Sequence, residues 1–360
     1  MEELDTTTVP TEWTDKDTAI IKEYEQDVAD GKMSFKELEM PEPIDIGLKQ
    51  LKGLGDKTVE KLANFGITSL YDLGIRGARE IEELTGADKN TAQNWVLLAK
   101  AKLEEAGLVR STQMDVLELL EYQEQIKKIT IGVEGMDKLL GGGLSPEALY
   151  EFYGEFGSGK TQYCLTAVAN VLANGGHAVW FDCEDTFKPM RLVQILVARG
   201  LVADEDEAKG LLKNLTYRHT PNTEDYEKEE GLLTSLLVEN PTQLIIMDGV
   251  IGQYAEEYIG RGTLSVRQNK LRRVMTHLKN ICYYFKCTVI FTNQVQTDPS
   301  IMFGDPTKPI GGNVVAHAST YRIYFKKQGK KRIARMVDSP KDDILEFQYA
   351  LTEKGIDDVE

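Results

Sequence analysis

Eight consecutive residues, Gly154-Glu155-Phe156-Gly157-Ser158-Gly159-Lys160-Thr161, fit GxxxxGK[ST] in full. Glycines at this spacing let backbone N–H groups wrap a phosphate chain, and the helix that follows adds the positive end of its dipole. In such a loop the lysine, Lys160, reaches the β- and γ-phosphates, and the hydroxyl of Thr161 holds Mg²⁺. A second signal is the apolar run Leu244-Ile245-Ile246-Met247, which ends in Asp248 and puts a carboxylate beside the metal. A third is Asp182-Cys183-Glu184-Asp185, a set of acids at the tip of another apolar run. One acid there is suited to orienting an attacking water. Glu184 is the candidate, with Asp182 and Asp185 as local rivals. Asn293-Gln294 closes a further apolar run, where an amide can sense the γ-phosphate and pass its state to the next loop.

These groups need a scaffold that brings several strand ends to one edge. From Ile131 onward, ALYEFYG, HAVWFDCE, QLIIMDGV, CTVIFTNQV and YRIYFKK read as buried strands separated by longer amphipathic stretches. That alternation predicts an α/β core, a mostly parallel sheet with helices on both faces. The phosphate-loop motif falls between a strand at Leu149–Tyr153 and a helix at Gln162–Leu172. Two loops near the strand ends are long or glycine-rich. One is Tyr258-Ile259-Gly260-Arg261-Gly262, whose arginine suits phosphate contact. The other runs over about 295–312 and carries the exposed-looking pair Met302-Phe303.

Upstream, residues 46–107 read as a small all-α domain. Gly53 and Gly55 form a tight turn before a helix at Thr58–Phe65, and Gly66 ends it. This is the pattern of a helix-hairpin-helix element, which brings backbone N–H groups to a phosphate backbone without reading sequence. Lys52, Lys57 and Lys61 lie nearby. A second helix pair is expected at Arg76–Leu84 and Asn90–Ala106. Residues 108–130 read as a linker with a helical centre, and 131–360 as the ATPase core.

Composition bounds the function. The 360-residue chain is 41% hydrophobic and carries a net charge of −16. Residues 1–45 alone hold fourteen acids and four lysines, a net −10, so the overall pI says little about the remainder. This stretch reads as a flexible acidic arm with a short helix at Asp17–Gly31. Such an arm competes with phosphate if it folds back on a DNA channel. No apolar run is long enough to span a bilayer, and the acidic N-terminus lacks the features of a secretory signal. A location inside the cell is expected. Cys164, Cys183, Cys282 and Cys287 have no metal-binding spacing and read as buried free thiols.

Taken together, the segments resemble the archaeal RadA recombinases, within the RecA/RadA group of strand-exchange ATPases. The blocks that carry the likeness are GEFGSGKTQ (154–162), EYIGRGTL with RQ after it (257–268), TNQV (292–295), FGDPTKPIGGNVVAHAST (303–320) and RIARMVDSP (332–340). The resemblance covers about residues 46–360. It implies a RecA-type ATPase core that polymerises on single-stranded DNA with ATP and Mg²⁺, pairs with a homologous duplex and exchanges strands in recombinational repair. It implies nucleotide contacts from Gly154 through Gln162, metal support from Thr161 and Asp248, a catalytic carboxylate at Glu184, and Gln294 linking nucleotide to DNA. Arg261, Arg267 and Gln268 would serve the first DNA loop, and Met302 and Phe303 the second. Asp305 and Pro309 would cap the nucleotide of the adjacent protomer, with His317 approaching its γ-phosphate.

The departures also matter. Members usually carry Phe-x-x-Ala in the linker to dock into a neighbour, whether in a filament or a ring, and here Gln113-Met114-Asp115-Val116 stands there. Ala255 occupies a position where relatives have arginine, and Gly249 replaces the usual hydroxyl residue after Asp248. Lys188 and Met190 replace an arginine and an acid. These changes also suit a paralogue that acts as a mediator, binding ATP and a partner recombinase while assembling poorly by itself.

Overall fold

The computed structural model describes residues 8–9, 44–45, 47–51, 53–111, 113–297, 307–328, 331–340 and 345–359. The acidic arm, including the helix expected at Asp17–Gly31, lies outside the described residues apart from two short antiparallel strands, Thr8–Val9 and Ile44–Asp45. The chain falls into two compact units, Met1–Thr112 and Gln113–Glu360.

The first unit is helical: α1 (Asp56–Ala63), α2 (Leu70–Gly74), α3 (Ala78–Thr85) and α4 (Lys89–Glu105). Gly53 adopts φ +95°, the left-handed conformation that makes the turn before α1 a glycine position. The helix begins two residues earlier than its pattern predicts because Gly55 is its extended N-cap. At the other end, Ile67 N–H donates back to the Leu62 carbonyl at 3.1 Å and closes the helix. The short α2 escapes the periodicity argument. Ser69 starts it by accepting from Asp72 N–H while the Asp72 carboxylate accepts from Ser69 N–H. Arg76, expected to open the next helix, instead lies buried before it. Its guanidinium donates to the Asp72 carbonyl at 2.7 Å and pairs with Glu80 at 3.4 Å. Leu62, Ile67, Leu73, Ile81, Ala99 and Leu103 are fully buried and form the unit's apolar interior.

The second unit opens with α5 (Val116–Gln125), capped by Asp115 through a capping box with Glu118. After α6 (Glu134–Leu139), the chain enters a nine-stranded sheet. Its strands are β1 (Leu149–Gly154), β2 (His177–Asp182), β3 (Leu215–His219), β4 (Thr242–Asp248), β5 (Thr288–Asn293), β8 (Tyr321–Gln328), β9 (Lys331–Asp338), β10 (Glu346–Thr352) and β11 (Gly355–Asp358). A small separate pair, β6 (Val295–Thr297) and β7 (Thr307–Pro309), interrupts the series. The spatial order is β11-β10-β9-β8-β1-β5-β4-β2-β3. The six strands from β8 to β3 are parallel, and β9, β10 and β11 add an antiparallel meander at one edge.

Buried parallel strands must be covered on both faces. Alternate side chains do this here. Phe152, Trp180, Ile246 and Ile290 join a core cluster with α7 (Lys160–Ala173) and α8 (Pro189–Ala198). On the opposite face, Phe181 meets Tyr226 of α10 (Thr223–Glu239), with ring centroids 5.9 Å apart. The short α9 (Glu205–Leu211) packs on α8. The remaining helices are α11 (Val250–Glu257), α12 (Leu264–Phe285) and α13 (Gly312–Ala318). All four cysteines are free and buried. No described helix is long and apolar enough to cross a membrane.

Candidate nucleotide and DNA site

In an open parallel sheet, ligands bind beyond the carboxyl ends of the strands. The chemistry-bearing residues gather there. Register places Asp182 beside Asp248, and Tyr153, which leads into the phosphate loop, beside Asn293. The loop itself runs from Gly154 at the end of β1 to Lys160 and Thr161 at the start of α7.

Asp248 is the centre of the site. It is 1% exposed, and three hydroxyls converge on its carboxylate. Thr161 Oγ1 donates at 3.1 Å, Thr186 Oγ1 at 3.1 Å and Thr292 Oγ1 at 2.6 Å. Burial pushes its carboxyl up to about 6, partly offset by the Thr292 bond and reinforced by the charge of Glu184. Buried charge of this kind is relieved by a cation. Thr161 and Asp248 supply hard oxygen donors of the sort Mg²⁺ takes, with substrate phosphates and water completing its shell. Among the described residues no group of three or more His, Cys, Asp or Glu side chains gathers as a metal cage, which is the arrangement Mg²⁺ shared with phosphates does not need.

Lys160 donates to the carbonyls of Gly154 at 2.9 Å and Glu155 at 3.2 Å. Burial pushes its ammonium pKa down, against the opposing pull of Glu184 and Asp248. The outer wall of the loop is held by β8 and β10. Lys327 N–H donates to the Glu155 carboxylate at 3.0 Å, Lys327 Nζ to the Phe156 carbonyl at 2.5 Å, and Tyr349 OH to the Ser158 carbonyl at 2.6 Å. Ser158 is buried, whereas Phe156 is 85% exposed. Gln162 accepts from Arg191 Nε at 2.8 Å, and Arg191 in turn donates to the Thr352 carbonyl at 2.6 Å.

The three rival acids part company here. The Asp182 carboxylate accepts from Thr186 N–H, Phe187 N–H and Tyr217 OH, each at 3.1 Å, so it builds the turn after β2. Asp185 is exposed, with φ +55°. Glu184 alone faces the neighbouring strand end, accepting from Gln294 Nε2 at 3.0 Å. Gly249 makes the room for it. A Cβ there would lie 2.8 Å from Glu184 Oε1 and would overlap its Cγ, and the backbone φ of +95° also favours glycine.

Gln294 also begins the next element. Its carbonyl accepts from Ile310 N–H at 3.0 Å, and β6 and β7 then pair so that Val295 faces Pro309. Beneath this junction Glu151 is fully buried, 2.6 Å from Arg322 and 2.7 Å from Asn293 Nδ2, which also bonds the Ile310 carbonyl at 2.8 Å. Met302, Phe303 and Asp305 lie outside the described residues. Arg261 opens one turn of 3-10 helix, Arg261–Thr263, where Thr263 Oγ1 donates to the Ile259 carbonyl at 2.8 Å. On α12, Gln268 Nε2 reaches the Gly311 carbonyl at 3.5 Å, and Arg267 Nε is buried without a hydrogen-bond partner. His317 sits in the last turn of α13 and faces α12 across a cleft. Hydrogen bonds thus join Thr161 to Asp248, Glu184 to Gln294, and Lys160 to the carbonyls of its own loop, while Gln268 reaches Gly311 and His317 lies across the cleft from α12.

A phosphate loop, a shared metal-side carboxylate and an acid bonded to the amide at the root of a long loop are now in one place. The model of the Rad51 family matches residues 122–359. The chain belongs to the Rad51 family. It is also 38% identical over 320 residues to the DNA repair and recombination protein RadA of Cenarchaeum symbiosum (strain A), a match covering 87% of this chain and 79% of that relative. This places the chain among the RecA-family recombinases of DNA repair, and the resemblance to RadA read from its sequence blocks is correct. Rad51-family proteins are DNA-dependent ATPases that bind DNA, form filaments and use ATP with Mg²⁺.

Sequence reasoning missed several members of this site. Thr186 and Thr292 lie close to marked residues but carry no pattern of their own. Lys327 lies in the YRIYFKK run, which signals a strand and not a loop contact. Gly249 registered only as a departure from the family.

Proposed function

We propose that the chain is an ATP-dependent recombinase that assembles on single-stranded DNA, pairs it with a homologous duplex and exchanges strands. The observation that carries this is the Gln294–Glu184 hydrogen bond at 3.0 Å, made by the residue from which the β6–β7 pair springs. In this reading a change at the nucleotide reaches the DNA-facing loop through one side chain. Glu184 orients the attacking water, Lys160 and the loop amides hold the phosphates, and Thr161 with Asp248 holds Mg²⁺. The metal, when bound, supplies charge neutralisation of the triphosphate.

In this proposal Arg261, Arg267, Gln268, Met302 and Phe303 contact DNA. Asp305, Pro309 and His317 complete the nucleotide site of a neighbouring protomer. The helical unit adds sequence-independent backbone contacts, and the protein works in the cytoplasm on the nucleoid.

Gln294→Ala tests the link. Nucleotide affinity is expected to stay within about threefold, while stimulation of ATP turnover by single-stranded DNA falls at least tenfold. Stimulation equal to that of the unmodified chain would refute the reading.

The mediator reading draws on α5, where Gln113 is exposed and Met114 half-buried just before the Asp115 cap. An aromatic anchor is missing from this segment, and aromatic anchors often dominate interfaces. A chain that binds ATP and DNA but shows no strand exchange alone would support it.

A further inference from the structure

Helix α11 begins directly after Gly249, beside the Glu184 side chain, and ends at the loop over 258–263. Its residues Val250, Ile251, Gly252, Gln253 and Tyr254 are buried, and it packs on α10, α12 and β5. Two turns of helix held this way move as one body, because close-packed elements shift between discrete positions and do not deform continuously.

Side chains tie down both ends. Near the nucleotide, Gln253 is 7% exposed, and its Nε2 donates to the Cys183 carbonyl at 3.2 Å and to the Thr220 carbonyl at 2.5 Å. These two bonds use both hydrogens of the amide. Each acceptor residue is itself fixed at a strand end: Cys183 N–H donates to the Asp248 carbonyl and Thr220 N–H to the Asp182 carbonyl, both at 3.0 Å. The Cys183 carbonyl and the Glu184 Cα lie in one planar peptide unit. Gln253 therefore holds the backbone from which the Glu184 side chain springs.

At the loop end, Glu257 accepts from Thr223 N–H at 2.8 Å and from Thr223 Oγ1 at 2.5 Å, at the first residue of α10. Tyr254 OH donates to Glu227 at 3.1 Å, and Lys270 pairs with the same carboxylate at 2.6 Å. The Lys270 ammonium also lies 5.5 Å from the centre of the Tyr258 ring, where the loop starts.

We infer that Gln253 is a positioning residue that couples Glu184 to the loop over 258–263 through α11, a route that does not pass through Gln294. Only the placing of Glu184 at the nucleotide comes from the proposed function, and strand exchange plays no part.

The reporter is Ile259→Trp in the full chain, at a side chain 76% exposed in the loop. The ligand is adenylyl imidodiphosphate, an ATP analogue that is not hydrolysed, with Mg²⁺ and without DNA. Its binding is expected to change the emission of the reporter chain beyond any change in the chain without the reporter. Gln253→Met keeps the side-chain length and removes the donors. It is expected to cut the response about fivefold or more, with analogue affinity within about threefold. Glu257→Ala, at an exposed residue on the far end, is expected to cut it likewise and decides the matter should Gln253→Met fail to fold. Gln294→Ala is expected to leave the response in place.

A full response in both Gln253→Met and Glu257→Ala overturns the inference, as does a response lost in Gln294→Ala. A loss matched by an equal loss of analogue affinity marks a merely structural role and overturns it too. The two readings fail separately. A silent reporter with the analogue bound refutes the link and leaves the recombinase reading standing. A response that needs Gln253, in a chain that exchanges no strands, keeps the link and refutes that reading.

Discussion

Asp248 and Glu184 share one site but live in different surroundings, and their roles follow from that difference. Asp248 is buried under three hydroxyls, with its carboxyl raised to about 6, an arrangement that calls for a compensating cation. Glu184 is half-buried and bonded to one amide, surroundings that suit the proposed role of aiming a water. What lets Glu184 sit there is the missing side chain at Gly249. Gly249→Ala is therefore expected to reduce ATP turnover about tenfold or more while nucleotide affinity changes little. A double-mutant cycle measures the coupling. In a Glu184→Ala background the added methyl has nothing to displace, so the cost of Gly249→Ala shrinks sharply, whereas an equal cost in both backgrounds would mean that backbone conformation alone is at fault. From sequence, the acid cluster at 182–185 was legible but its division of labour was not. Asp182 is withdrawn from the candidates by three hydrogen bonds to residues 186, 187 and 217, a geometry that depends on the turn closing in space.

The elements bring four strand ends to one edge, and the buried pair Glu151–Arg322 ties one of those strands, β1, to its neighbour β8 beneath the site. Asn293 shares the Glu151 carboxylate and reaches the Ile310 carbonyl, so the root of the long loop rests on a charge inside the sheet. Glu151→Ala strands Arg322 without a partner in a largely desolvated place, and breaking such a pair costs about 3–5 kcal/mol. Urea denaturation should register a loss of that size, and Glu151→Gln, which keeps the bond to Asn293, should lose less. A loss below about 1 kcal/mol would show that the pair does not hold the strands. The parallel core strands were legible because burial on both faces leaves continuous apolar runs. The edge elements were not. In β3 the residues Leu215–His219 are half-exposed and mixed in type, and β9 alternates cations with apolar residues in a stretch that also fits a loop. The short α2 rests on the Ser69–Asp72 cap more than on any periodic stripe.

For the whole molecule, the proposed assembly needs a surface where copies meet. Helix α5 leaves Val116, Leu117 and Leu120 exposed at 82%, 70% and 50%, a stripe at helical spacing next to the segment where the family anchor is absent. If a second copy covers it, Leu117→Glu/Leu120→Glu lowers light scattering by assembled protein on single-stranded DNA with little change in the melting temperature. Unaltered scattering would place the contact elsewhere. The two-unit organisation was visible as a change from helical pattern to alternating strands, while the location of the break near residue 112 depends on contacts that spacing does not encode. The proposed function couples ATP held by the phosphate loop to exchange between DNA strands. It is tested most directly by strand exchange between homologous oligonucleotides with ATP and Mg²⁺, run beside Lys160→Ala. Exchange by the unmodified chain and none by the variant is the predicted result. No exchange by the unmodified chain, with ATP and single-stranded DNA still bound, would contradict it.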